Sequence, residues 1–523
     1  MYNAIVARIR VKSFPDFVRG DGKVEKIERL MLGDCRGHQV IVGRDTTDNS
    51  LVVFFPVDGA LSDEFLRAKD LYKRKDENGN QVGGMFELDR RVKMIKLKGQ
   101  YSMGFCCPVE LLDWTGADLS KVKEGDEFCE LNGHKVCEKY VTRATRQART
   151  DRLQNTQLTL RKRALRMFPE HIDTSHFKRT SHAIPVGSLI ILTEKVHGTS
   201  HRLALTRSEP VNDAVGIYAD LARKRNVKIG EEFQSIQERL GAETIFTEAV
   251  EDLDGSVGGM TLMKRKLVNE TRNLHKVVKT KLTRLDYGVS RQIERAVDCT
   301  TGLLNRIGID PRPWRYVNGT RRVTLETRPS EGYYGTDKFR YDATKNIKLH
   351  PGEMIYGELV GFTDTGVAIQ HQSTVESGEK QLTKMFGQSM NYTYGANKGE
   401  CLLFVYRITH LCDDGTQIEL PWSQVVGRCK ELGLKTVPTL ECFVYDGNEC
   451  ALRDKVDHMV NDGIKASTLD ARHLMEGIVV RAETPDGRTL WMKEKSLLFT
   501  LCEFGMKSDE NYVDREETQE EAA

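Results

Sequence analysis

Five short apolar runs constrain this chain most, because each carries or adjoins a charged side chain. Leu189 to Leu192 leads into Glu194-Lys195, Met354 to Val360 carries Glu358, and Leu402 to Ile408 holds Phe404, Tyr406 and Arg407. Gly477 to Val480 follows Glu476, and Leu490 to Lys495 ends in lysines. Such runs, bounded by turn signals, read as strands. A carboxylate inside one is costly to bury unless it is paired, metal-bound or facing a cleft.

At 523 residues the chain has room for three or four domain-sized units. Its 39% hydrophobic and 29% charged residues exclude disordered and collagen-like classes. The net charge of +2 means that any nucleic-acid surface must come from local patches. No two of the 12 cysteines stand in C-x-x-C spacing, which argues against zinc, and scattered thiols suit a cytoplasmic or other reducing compartment. Charges interrupt the apolar N-terminus, so no signal peptide is expected, nor is a membrane span.

Residues 1–141 read as short strands (Tyr2 to Val11, His38 to Val42, Leu51 to Pro56, Val92 to Leu97, Phe128 to Tyr140), which suggests a small barrel or sandwich, an OB-like barrel among the options. Residues 142–180 form a basic helical linker. Its Arg143, Arg146, Arg149 and Arg152 make a stripe suited to a phosphate backbone or to simple solvation. Strand patterns return over 181–507, interrupted by a basic helical insertion at 215–312, and 508–523 is an acidic tail.

Within 181–507, Lys195 ends a strand, and Gly198 lets the backbone approach a ligand. A lysine there is a candidate nucleophile once it sheds its proton. By alternation Phe404, Tyr406 and Ile408 share one face, and an aromatic there can stack on a base. If Asp486-Gly487 is a two-residue turn, position 480 faces 493 and 478 faces 495, so Glu476, Lys493 and Lys495 converge on one side. Two like charges at that spacing make sense around an anion such as a triphosphate. Each segment alone also has an ordinary reading: a strand end before a turn, a carboxylate facing water, aromatics in a core, a solvated lysine face.

In order, Lys195-x-His-Gly, Glu358, the Phe404 to Ile408 strand, Glu476-Gly and Lys493-x-Lys495 resemble the collinear motifs of the covalent nucleotidyltransferase superfamily. His197 and the Arg321-Arg322 pair favour RNA ligases within it. The Val53 to Gly59, Ile95 to Ser102 and Phe168 to Thr174 strings resemble the RNA ligase type first described from Deinococcus radiodurans. That resemblance implies an α+β chain, with an N-terminal OB-like β-barrel followed by a ligase-type nucleotidyltransferase domain of mainly antiparallel sheets.

The resemblance further implies an ATP-dependent enzyme that joins RNA 3′-OH and 5′-phosphate ends through lysyl-AMP and RNA-adenylate, at nicks in duplexes, as a monomer acting in RNA repair. Lys195 would be catalytic. Glu194, His197, Gly198, Arg202, Glu358, Tyr406, Glu476, Lys493 and Lys495 would join it in binding ATP. Glu358 and Glu476 would hold Mg²⁺ or Mn²⁺, and Arg321 and Arg322 would contact nucleic acid. A nucleic-acid binding protein with an inactive transferase fold would not need this ordered set. A DNA ligase or capping guanylyltransferase usually carries its OB domain after the catalytic one, and the 16 residues at 508–523, after the last motif region, are too few for a barrel.

Overall fold

Two sheets frame the C-terminal half in the computed structural model, which describes residues 2–19, 22–76, 79, 81–147, 167–207, 314–321, 323–325, 337–412 and 415–506. The first has the order Ser175–His176, Thr489–Lys495, Gly477–Glu483, Leu189–Glu194, Thr439–Val444. The second runs Trp314–Gly319, Thr199–Arg207, Glu353–Gly361, Cys401–Leu411, Gln417–Glu419. Both are antiparallel apart from the short Ser175–His176 and Lys435–Thr436 pairings, so the architecture is mixed α and β with mostly antiparallel sheets.

The apolar runs are continuous because both faces of their strands are covered. Ile190 and Leu192 pack with Leu452, Val456 and Val460 of the Glu449–Asn461 helix, while Ile191 turns to the other face and joins Ile355, Leu359 and Val405 of the second sheet. The helix buries its residues at four-residue spacing, and the Asn448 side chain caps it by accepting from Ala451 N–H at 3.0 Å.

The hairpin carrying the last two motifs has a different register from the one expected. Gly477 faces Lys495, and Val479 faces Lys493. The loop has three residues rather than two: Thr484 N–H bonds to the Arg488 carbonyl at 2.8 Å around Pro485-Asp486-Gly487, with Gly487 at φ +81°. Lys493 and Lys495 still share a face.

The N-terminal strands pair as one four-stranded sheet, one three-stranded sheet and several two-stranded ribbons, and this pairing does not close into a single barrel. The expected Phe128 to Tyr140 strand is broken, because Asn132 and Gly133 both take positive φ in a two-residue turn joining Leu131 to His134. Among the described residues this half meets the other at several points, three of them polar or ring contacts of single residues. Arg91 Nη2 donates to the Phe504 carbonyl at 3.3 Å, Lys96 pairs with Glu379 at 2.7 Å, and the His38 ring lies 4.9 Å from that of His176.

The insertion at 215–312, the tail at 508–523, Arg149, Arg152 and Arg322 lie outside the described residues. Among the described residues no helix is long and apolar enough to cross a membrane.

Gly477 is fixed by close approach. A Cβ there would sit 2.1 Å from the Glu494 carbonyl oxygen and 2.7 Å from Lys495 Cα, and its own carbonyl accepts from Lys195 N–H at 2.9 Å. Gly477→Ala is therefore expected to lower stability by about 1–3 kcal/mol. Urea unfolding measures it, and an unchanged midpoint would refute the crowding.

Candidate active site

Between the sheets lies a cavity of about 630 Å³, lined by Glu194, Lys195, His197, Arg321, Glu358, Tyr406, Glu476, Lys493 and Lys495. The first sheet supplies Lys195 just past the end of Leu189–Glu194, Glu476 just before the neighbouring Gly477–Glu483, and both lysines from Thr489–Lys495. The second supplies Glu358 and Tyr406.

Lys195 Nζ pairs with Glu476 Oε1 at 2.7 Å. The Glu476 side chain is only 2% exposed, and Lys495 Nζ is 3.7 Å from the same oxygen. Burial pushes the Glu476 carboxyl up, but Lys195, then His197 and Lys495, outweigh it and hold it below the usual carboxylate range. Among the described residues its Oε2 finds no hydrogen-bond partner; His197 Nδ1 is 3.6 Å away, with the imidazole held edge-on between Tyr392 and Phe499. Lys495 also reaches Glu503 at 2.8 Å.

Glu358 faces Ser200 across the strand pair. Its carboxylate accepts from Gly198 N–H at 3.2 Å and from the Ser200 hydroxyl at 3.4 Å. Gly198 itself does not line the cavity. Its close approach is to the 353–361 strand, where a Cβ would meet the Leu359 carbonyl oxygen at 2.2 Å.

Tyr406 reaches the cavity for a reason alternation does not contain. Tyr356 pairs with Arg407 and Gly357 with Val405, which leaves Tyr406 as the extra residue of a β-bulge. Phe404 and Ile408 stay in the core. The His171 ring stands edge-to-face 5.2 Å from Tyr406 and lines the same cavity.

Arg202 is not in the cavity. It is 1% exposed, with its guanidinium 4.4 Å from the Phe168 ring, donating to the carbonyls of Thr320 at 2.5 Å, Phe168 at 3.3 Å and Pro169. It clamps the 168–171 segment to the end of the Trp314–Gly319 strand. Arg321 does reach the cavity, and it pairs with Asp173.

The Glu194 carboxylate accepts from the Ser467 hydroxyl at 2.5 Å, from Thr468 N–H at 2.9 Å and from the Thr468 hydroxyl. Neither partner stood out in the sequence, since they lie more than 270 residues away. The same holds for Tyr394, whose hydroxyl accepts from His197 N–H at 2.6 Å. His171 belongs to the Phe168 to Thr174 string, the one linear signal among these additions.

Two carboxylates, one with an unsatisfied buried oxygen, suit a divalent ion that completes its shell with water and phosphate oxygens. Among the described residues no cluster of three or more His, Cys, Asp or Glu forms an all-protein cage.

Glu494 points away from its neighbours Lys493 and Lys495 into a buried pocket, 3.4 Å from Lys178 and 3.6 Å from His176. Burial pushes its carboxyl up to about 7, against the opposing pull of Lys178. Raised above its unfolded value of about 4.5, an acid makes stability fall as pH rises from that value to about 7, here by about 2–3 kcal/mol. Glu494→Gln should flatten that part of the wild-type profile, read by urea unfolding at pH 5 and pH 7.5. Parallel profiles for the two proteins would contradict it.

Comparison with solved structures finds an RNA ligase of Naegleria gruberi. A mutant with ATP and Mn matches at TM-score 0.45 and 11% identity, over 97% of this chain and 99% of that one. The same ligase with PPi matches at TM-score 0.44 and 12% identity, again over 97% and 99%. No curated protein matches. The RNA ligase family model matches residues 188–495, a span holding every cavity motif named above, and the chain belongs to that family.

Proposed function

We propose that this RNA ligase is ATP-dependent, is of the Deinococcus radiodurans type, and seals RNA 3′-OH and 5′-phosphate ends at nicks in duplexes. The observation that carries the reading is the convergence of Lys195, Glu476, Lys493, Lys495, Glu358 and Tyr406 on one cavity.

As the free amine, Lys195 attacks the α-phosphorus of ATP. A phosphoramidate bond forms, the bond to pyrophosphate breaks, the nitrogen gives up a proton to solvent, and lysyl-AMP remains. An RNA 5′-phosphate then displaces the lysine and takes the AMP. The 3′-OH of the adjoining strand attacks that 5′-phosphate, and AMP leaves as the strand is sealed. Glu476 orients the Lys195 amine, while Lys493 and Lys495 face the charge that develops on the phosphate. Glu358 and Glu476 would hold Mg²⁺ or Mn²⁺, which supplies charge neutralisation at phosphate oxygens.

Tyr406 offers a stacking face for adenine. Three of the roughly four acceptor sites of Glu194 are taken, which leaves one on Oε1 for the adenine amino group. Arg321, which lines the cavity, would contact a nucleic-acid phosphate. The N-terminal strands would act as an OB-like module on the duplex, joined by the basic linker. The proposal includes a monomer and a reducing compartment, and in the latter the described cysteines, all free, would stay so, Cys35 and Cys106 included at 3.8 Å between sulfurs.

The test is sealing of nicked duplexes with either an RNA or a DNA 3′-OH strand, with ATP and Mg²⁺. Sealing that requires ATP and the RNA 3′-OH strand is expected, with a loss of at least about 100-fold in Glu358→Ala and in Glu476→Ala. Sealing only of DNA, or sealing unaffected by both substitutions, would overturn the reading.

A further inference from the structure

The 467–470 loop braces the nucleophile from both sides. On the side before Lys195, Ser467 and Thr468 hold the Glu194 carboxylate. On the side after it, the Tyr394 hydroxyl holds His197 N–H. Tyr394 is buried and takes φ +51°, a conformation that costs a side chain this large free energy and persists only where its surroundings impose it.

Here the surroundings lead back to the same loop. Asp470 Oδ2 accepts from Gly395 N–H at 3.1 Å and from the Thr393 hydroxyl at 3.2 Å, so one carboxylate bonds both neighbours of Tyr394. Arg472 in turn anchors Asp470 at 2.8 Å. The His473 ring stands edge-to-face 4.4 Å from Tyr394. Burial pushes the Tyr394 phenol well above its ordinary value, so it stays a neutral hydroxyl across the working range of pH.

We propose that Tyr394, set by Asp470, is a positioning residue for lysine adenylylation: with Glu194 held by Ser467 and Thr468, it fixes the backbone on both sides of Lys195 so that Nζ lies in line with the α-phosphorus. The inference rests on the ligase reading above. It separates the three steps, because only in the first does Lys195 have to reach in-line geometry as the nucleophile. A nucleophile held about 1 Å out of place loses on the order of 100-fold in rate without losing its ligand.

The experiment compares wild type, Tyr394→Phe and Asp470→Asn in two assays. One is single-turnover transfer of label from α-labelled ATP to the protein across a range of ATP concentrations. The other is sealing of a nick whose 5′ end already carries AMP, without ATP. The expected result for both variants is adenylylation slowed about tenfold or more at saturating ATP, a half-saturating ATP concentration within about twofold of wild type, and unchanged sealing of the pre-adenylated nick. Adenylylation at the wild-type rate in both variants, or parallel loss in the two assays, would overturn the brace. Failure of the wild type itself to take label would overturn the ligase reading instead.

Discussion

A carboxylate as enclosed as that of Glu476 needs compensating charge, and Lys195 supplies it at 2.7 Å. That requirement ties the two central strands of the first sheet together. Lys195 must end its strand level with the start of the next, which the hydrogen bond from its N–H to the Gly477 carbonyl secures. Gly477 must stay a glycine because the third strand presses on it. The third strand then presents Lys493 and Lys495 on one face, with Lys495 within reach of the same carboxylate. One ion pair thus sets the relative placement of three strands and concentrates cationic groups on one wall of the cavity.

The second sheet adds a carboxylate and an aromatic ring to the cavity. Glu358 is kept in the cavity by two donors, one of them the backbone of the glycine that follows the lysine segment. The bulge at Tyr406 turns an aromatic ring into the cavity from a strand otherwise committed to the core. Both carboxylates therefore face the cavity from opposite sheets, and among the described residues one Glu476 oxygen has no hydrogen-bond partner, a donor set that suits a divalent cation better than a closed protein cage would.

Much of this was legible in the sequence because it depends on strand-scale patterns. The apolar runs gave the paired strands, and the single charges within them gave the cavity. The hairpin register missed by one position, since Pro485 belongs to the loop and Gly487 takes a left-handed conformation. Lys493 and Lys495 keep a common face in either register, whereas Glu476 reaches the cavity from just before the strand, where alternation in this register does not put it. Arg202 misled for a different reason: an arginine two positions beyond a cavity-lining serine shares its face but sits deeper, where it bonds carbonyls. The brace from Ser467, Thr468, Asp470 and Tyr394 left no linear trace, because its partners come from distant loops. The N-terminal strands were read singly, and alternation carries no information on whether their edges meet.

The most direct test of this account is to expose the folded protein to ATP and Mg²⁺, digest it, and locate by mass spectrometry any peptide that has gained one AMP. The account predicts the adduct on Lys195, lost in acid but kept in alkali as a phosphoramidate is, and released when pyrophosphate is returned. An adduct on another residue, or none on protein shown to be free of bound AMP at the start, would contradict it.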